Sequence, residues 1–279
     1  MPSASYLLKA KKRLFNKNIM KTNYLIMAAL FCCMMISCKH NPGVGTENRG
    51  TTSQSENQAL SSEAFVNVSD VVPDALLEIR YYSAYNFVGV RVDGYEQPAA
   101  LMTRQAADSL RAVADELRAQ GYAIKVYDAY RPQMAVDHFM RWGADLSDTA
   151  MRHVFYPDVD RSKLFDLGYI ARKSSHSRGS TVDLTLFDIA SGKELDMGGP
   201  FDWFGRRSHP DCGGRYVDGV KIEYLPNDTI SAEQFRNRMI LREAMLRHGF
   251  NPYECEWWHF TLKDEPYPDT YFNFPVREL

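Results

Sequence analysis

A chain of 279 residues with 45% hydrophobic and 13% aromatic side chains can fill one large packed core, and 33 basic against 35 acidic residues leave it at a formal charge of −2. That balance lacks the basic excess of a nucleic-acid-binding surface. The sequence holds no internal repeat, no phosphate-cradling glycine loop, no G-x-S-x-G turn and no H-E-x-x-H pair, the last of which sets aside the helix-based zinc proteases.

Residues 1–37 carry six cations (Lys9, Lys11, Lys12, Arg13, Lys17, Lys21) and no acid. Their apolar run from Tyr24 to Ile36 is shorter than the ~20 residues of a membrane-spanning helix but fits the apolar region of a signal sequence. Met20, followed by Lys21, offers an alternative start that would make this leader more compact. Met35-Ile36-Ser37-Cys38 resembles a bacterial lipobox, so residues 1–37 read as a lipoprotein-type export signal and Cys38 as the lipidated residue. Residues 38–63 read as a flexible tether, rich in Asn, Ser, Thr and Gly. Loss of the six leader cations leaves 27 basic against 35 acidic residues, a charge of −8. The expectation is an exported protein of the cell envelope, periplasmic or at the cell surface, that touches membrane only through its lipid anchor and has no nucleic-acid partner.

Residues 64–279 make the folded domain. Phe65-Val66-Asn67-Val68 and Leu76 to Tyr81 alternate as strands, with Pro73-Asp74 breaking between them. Thr103 to Gln120 reads as a helix: Thr103 is in place to cap it, Ala106, Leu110, Val113 and Leu117 form an apolar stripe, and Gly121 ends it. Ala123 to Tyr127 is the next strand, and Pro132 opens a helix through Trp142. A further helix fits Ser231 to His248, with Phe235, Met239, Leu241, Met245 and Leu246 inward and Gly249 closing it. Strands and helices mix without a regular βαβ rhythm, which predicts an α+β domain with a mixed or antiparallel sheet and flanking helices.

The chemistry concentrates in Ser174-Ser175-His176-Ser177-Arg178-Gly179-Ser180-Thr181-Val182-Asp183. An imidazole on a loop and a carboxylate on the strand that follows suit a zinc ion, whose catalytic sites take three protein ligands and leave a fourth position open. His259, in Cys255-Glu256-Trp257-Trp258-His259, supplies the third ligand, and Glu256 stands three residues earlier as a general base. Residues i and i+3 of a regular strand point to opposite faces, so the backbone must turn or bulge between Glu256 and His259 for both to serve one site. His40, His138, His153, His209 and His248 read as surface or capping residues, His209 least firmly because it follows the Asp202 segment.

Taken together, S-x-H-x-x-G-x-x-x-D and E-x-W-H resemble the metal signature of the D-alanyl-D-alanine dipeptidases, the vancomycin-resistance type within the zinc D,D-peptidases. Tyr127-Asp128-Ala129-Tyr130-Arg131-Pro132 and Met197-Gly198-Gly199-Pro200-Phe201-Asp202 match as well, and the resemblance runs from about Phe65 to the C-terminus. It implies a zinc D,D-peptidase-like domain that hydrolyses D-Ala-D-Ala with one Zn²⁺ per chain. It also implies that Arg131 assists the transition state, that Tyr169 and Ser174 contact the substrate's carboxyl side, and that Asp202 receives its ammonium. The residues themselves leave Arg131 open to a plain ion pair with Asp128, and the doubled Ser174-Ser175 leaves open which hydroxyl faces substrate. Thr181-Val182 departs from the usual family wording, yet both residues suit a strand. Two other readings share these residues: a zinc carboxypeptidase or endopeptidase of peptidoglycan stems, and a non-enzymatic lipoprotein that binds wall fragments. Cys212 and Cys255, the two cysteines of the domain, fit either one disulfide or two buried thiols.

Overall fold

The computed structural model describes residues 64–225 and 229–279. The expected export signal (residues 1–37), the expected lipidation site Cys38 and the expected tether (residues 38–63) lie outside these residues. No helix among the described residues is long and apolar enough to cross a membrane.

A mixed sheet organises the domain. Its strands run in the order β2 (Leu76–Leu77), β4 (Tyr122–Asp128), β5 (Thr181–Asp188), β10 (Glu256–Leu262), β9 (Phe250–Tyr253), with β6 (Lys193–Glu194) also pairing with β5. Only β2 and β4 pair in parallel; every other pair in this sheet is antiparallel. The expected α+β class with a mixed sheet is therefore what the chain adopts. A ribbon of β1 (Phe65–Asn67) and β3 (Leu101–Thr103) and a hairpin of β7 (Gly214–Tyr216) and β8 (Ile222–Tyr224) stand outside it. Three longer helices, α2 (Arg104–Ala119), α3 (Gln133–Ala144) and α5 (Ala232–Arg247), flank the sheet, and α1 (Val68–Val71) and α4 (Arg152–Phe155) are single turns.

The expected elements are present with local corrections. The strand foreseen from Leu76 to Tyr81 stops at Leu77, because the chain turns through a 3₁₀ helix at Arg80–Tyr82 that buries Tyr81. In α2 the stripe of Ala106, Leu110, Val113 and Leu117 is fully buried, but Thr103 does not cap the helix. Its hydroxyl is 2.8 Å from Ser180 Oγ and its N–H donates to Gly179 O, so it fastens β3 to the loop before β5. Helix α5 opens on a reciprocal capping box between Ser231 and Gln234. Its inward face is not the apolar set expected: Met239 and Leu246 are only half-buried, while Arg238 and Arg242 are buried. Backbone carbonyls accept from both guanidiniums, which is why an inward arginine is tolerated there.

Gly179 fixes the approach to β5. Its φ of 81° lies in the left-handed region, and a Cβ there would overlap the Phe65 ring. That ring cannot retreat, since it packs edge-on against Phe272, Tyr130 and Phe274 with centroids 5.0–5.1 Å away. Gly179→Ala should destabilise the fold by roughly 2–4 kcal/mol. Urea unfolding checks this, and a midpoint within error of the native protein's would show that the turn tolerates a side chain.

Candidate active site

Strand pairing brings the ligand candidates together. In the antiparallel register of β5 and β10, His259 lies directly opposite Asp183. His176 arrives from the 3₁₀ turn Ser175–Arg178, which Ser174 opens by accepting the His176 N–H at its side-chain oxygen. The required irregularity in β10 is also present. Its register against β9 jumps from Glu256↔Tyr253 to Phe260↔Pro252, so Trp257 to His259 bulge and Glu256 turns toward the same side as His259. His259 Nδ1 is 3.5 Å from Glu256 Oε2.

Three atoms then face one point. His176 Nε2 is 3.2 Å from His259 Nδ1 and 3.2 Å from Asp183 Oδ2, and His259 Nδ1 is 3.1 Å from Asp183 Oδ1. Donor atoms around a tetrahedral ion with bonds of ~2.0–2.1 Å stand roughly 3.3 Å apart, so the spacing fits. The far side of each ring is fixed as well: His176 Nδ1 meets Ala129 O at 2.6 Å and His259 Nε2 meets Ser175 Oγ at 3.2 Å. A carbonyl only accepts, so Nδ1 of His176 carries the proton and Nε2 faces the cluster as a lone pair. Asp183 Oδ1 is buried without a hydrogen bond despite that short approach, as expected of an oxygen shaped to meet a cation. Among the described residues these three form the group with metal-binding geometry.

Arg131 joins this cluster to a further carboxylate, Asp128. Asp128 lies opposite Asp183 where β4 slips its register against β5, and Arg131 donates from Nε to Asp128 Oδ2 at 2.9 Å and from Nη2 to Asp183 Oδ2 at 3.5 Å. The ion pair with Asp128 thus exists, yet the guanidinium still lines the cavity. It lies 4.9 Å from the centre of the Tyr81 ring, and Asp128 also accepts from Tyr95 OH at 2.6 Å. Burial pushes the Asp128 carboxyl up against the pull of Arg131. Burial acts the same way on Asp183, but His176 and His259 overcome it and hold its carboxyl far below the usual range. Burial, then Asp183 and Asp202, raise Glu256 well above an ordinary glutamate. A cation beside it would favour its ionised form.

The metal-ligand candidates, Glu256, Arg131, Tyr169, Ser174 and Asp202 all line one cavity of about 420 Å³. Asp202 is 5% exposed and sits at φ 61°, left-handed backbone that Asp and Asn tolerate better than other side chains. Its Oδ1 accepts from Tyr81 OH at 3.2 Å, and its Oδ2 has no partner. Burial, followed by Asp183, raises its carboxyl to about 8. Tyr169 stacks on Phe204 with centroids 5.3 Å apart, its hydroxyl 3.2 Å from His209 Nε2. Ser174 and Ser175 both reach the cavity wall, the first capping the His176 turn and the second against His259.

Sequence reasoning missed several supports. These are Tyr81 under Arg131 and Asp202, the Tyr95 hydroxyl on the Asp128 carboxylate, and the contact of Ser175 with the far side of His259. Arg238 was hidden inside a helix: 1% exposed, it donates to the carbonyls of Met197, Arg207 and His209 at 2.6–3.1 Å, pinning the loop that bears Asp202. Burial lowers its pKa only to about 10, so it remains charged at neutral pH. The disulfide alternative fails: Cys212 and Cys255 are both buried free thiols. Cys212 packs against Ile222, Ile230 and Phe235 in a small core of its own, apart from Cys255 at the β9–β10 turn.

A mixed sheet that brings a His/Asp/His cluster, a glutamate and an arginine to one cavity has the make-up of a metallopeptidase. The family model described as D-ala-D-ala dipeptidase matches residues 61–277, and the chain belongs to that family of peptidases. It is 38% identical over 213 residues to the D-alanyl-D-alanine dipeptidase of Enterococcus faecium, covering 76% of this chain and 98% of that protein. The protein of the same name from Streptomyces coelicolor is 38% identical over 212 residues, with 76% and 98% covered. The one from Escherichia coli is 32% identical over 197 residues, with 71% and 83% covered.

Asp202 gives a pH-dependent stability test. Its carboxyl is raised in the fold, so its contribution favours the native state at low pH and is lost as pH rises from the unfolded value, near 4, through about 8. Asp202→Asn keeps the Tyr81 contact and suits the backbone. With metal chelated, the variant should gain ~2–4 kcal/mol over the native protein between pH 4 and pH 8 in urea titrations. Parallel stability profiles for the two proteins would refute the assignment.

Proposed function

We propose that this protein hydrolyses the dipeptide D-alanyl-D-alanine to two molecules of D-alanine, with one zinc ion held by His176 Nε2, His259 Nδ1 and Asp183. The observation that carries the reading is the unpartnered oxygen of buried Asp202 in the same cavity as the ligand cluster. A free dipeptide brings an ammonium to answer that carboxylate, and the names of the relatives agree in substrate. When bound, zinc supplies Lewis acidity that brings the pKa of a water down toward ~7.

The chain's own groups do the remaining work. Glu256, raised by burial, takes the proton of the attacking water as its oxygen adds to the amide carbonyl, then returns that proton to the leaving amine as the C–N bond breaks. Arg131, pinned by Asp128 and backed by the Tyr81 ring, turns its fork toward the charge that grows on the carbonyl oxygen. Asp202, with Tyr81 beside it, receives the ammonium, and Tyr169 and Ser174 receive the carboxyl side. In the same reading residues 1–37 serve as an export signal and Cys38 as a lipid anchor, so that the activity belongs to the bacterial cell envelope.

Glu256→Ala should bind zinc stoichiometrically yet lose turnover, whereas His176→Ala and His259→Ala should lose both, as read by metal analysis beside an amine-release assay. Substantial turnover in the Glu256 variant would remove it as the base. Arg131→Ala should depress kcat more than it raises KM, since an oxyanion contact forms fully only in the transition state. An effect confined to KM would make Arg131 a ground-state contact. N-acetyl-D-Ala-D-Ala should be cleaved roughly ten- to a hundredfold less efficiently than the free dipeptide, since it forfeits the charge-assisted hydrogen bond to Asp202, worth ~1.5–3 kcal/mol. Equal rates on both would favour a carboxypeptidase of peptidoglycan stems.

A further inference from the structure

Three cationic side chains of the Lys/Arg type line the cavity, and two are already engaged. Arg131 is held by Asp128 and Asp183. Arg178 donates from Nε and Nη2 to both oxygens of Glu265, at 2.9 and 2.6 Å. The third, Lys173, is exposed at the rim, and its Nζ lies 4.8 Å from the centre of the Tyr271 ring. Its ammonium has no carboxylate within ion-pair distance among the described residues. A cation–π contact at an exposed site is weak, so that ammonium is free to exchange the ring for an anion.

Its position is nonetheless defined. Lys173 precedes Ser174, whose side chain accepts the His176 N–H, and Phe272 N donates to Ser177 O at 2.8 Å, which ties the Tyr271 segment to the same turn. Ligand turn, lysine and aromatic ring therefore form one assembly at the cavity edge. A zwitterionic dipeptide has two charged ends. Asp202 answers the ammonium, but Tyr169 and Ser174 offer the carboxylate only neutral hydroxyls. We propose that Lys173 is the cation that receives the substrate's C-terminal carboxylate and makes the enzyme select peptides whose C-terminus is free. This rests on the dipeptidase reading above. A lysine suits the task because its charge sits on a flexible stem that can follow a small substrate in and out of the cavity.

The test compares D-Ala-D-Ala with its C-terminal amide on native enzyme, Lys173→Met and Lys173→Arg. Lys173→Met should raise KM for the free dipeptide roughly tenfold, between the effect of a surface ion pair and that of a sheltered charged hydrogen bond. Its kcat should change little, and the amide, which lacks the charge, should be affected far less. The native preference for the free acid should shrink by the same factor, and Lys173→Arg should retain most of it. The gap between native and Lys173→Met should also narrow at high salt. A preference unchanged in Lys173→Met, or equal losses on both substrates, would overturn the role of Lys173 alone. Native enzyme that cleaves neither substrate would overturn the dipeptidase reading and this inference with it.

Discussion

The antiparallel pairing of β5 with β10 is the constraint on which the rest of the site depends. It sets Asp183 opposite His259, and because strand side chains alternate, a slip of one residue would send one ligand to the wrong face of the sheet. Several features guard that register. Thr181 Oγ1 pairs with Thr261 Oγ1 at 2.9 Å two residues further along, and Leu262 N donates to Ser180 O at 2.9 Å. Val182, Leu184, Phe260 and Leu262 bury their side chains and would be displaced by any slip.

Around that pairing the fold gathers more buried acid than protein alone can comfortably neutralise. Asp128, Asp183, Asp202 and Glu256 share one region with the Arg131 guanidinium, and burial is the leading upward influence on the carboxyls of Asp128, Asp202 and Glu256. Such an arrangement stores the demand for positive charge, which a metal ion at the histidines and, in the proposed reaction, a substrate ammonium at Asp202 would relieve. The scaffold bears the cost elsewhere. Arg238 threads a buried guanidinium into three loop carbonyls to hold Asp202 in a left-handed conformation, and the stacked rings of Tyr169 and Phe204 lie along the same loop.

The groups that converge on the cavity were legible in the sequence because the chemistry they suit demands particular residue types at short spacings. His176, Gly179 and Asp183 lie within one turn and the start of one strand, and the bulge between Glu256 and His259 followed from strand geometry before any coordinates. The class of fold was legible for the same reason, through the apolar stripe of α2 and the strand that became β4. What stayed hidden depends on partners far along the chain. The capping role expected of Thr103 was lost to Ser180, 77 residues away. The apolar count for α5 missed two inward arginines because a helix pattern cannot show that loop carbonyls await them. Tyr81 and Asp128 support the site through contacts 121 and 33 residues distant, to Asp202 and from Tyr95, which no local pattern encodes.

Zinc titration into chelator-treated protein, with D-Ala-D-Ala hydrolysis followed in the same samples, tests the central claim most directly. The account predicts one ion bound per chain, no turnover in its absence, and activity that returns in proportion to the sites filled. Undiminished hydrolysis after complete removal of metal, or a filled site with no hydrolysis of the free dipeptide, would contradict it.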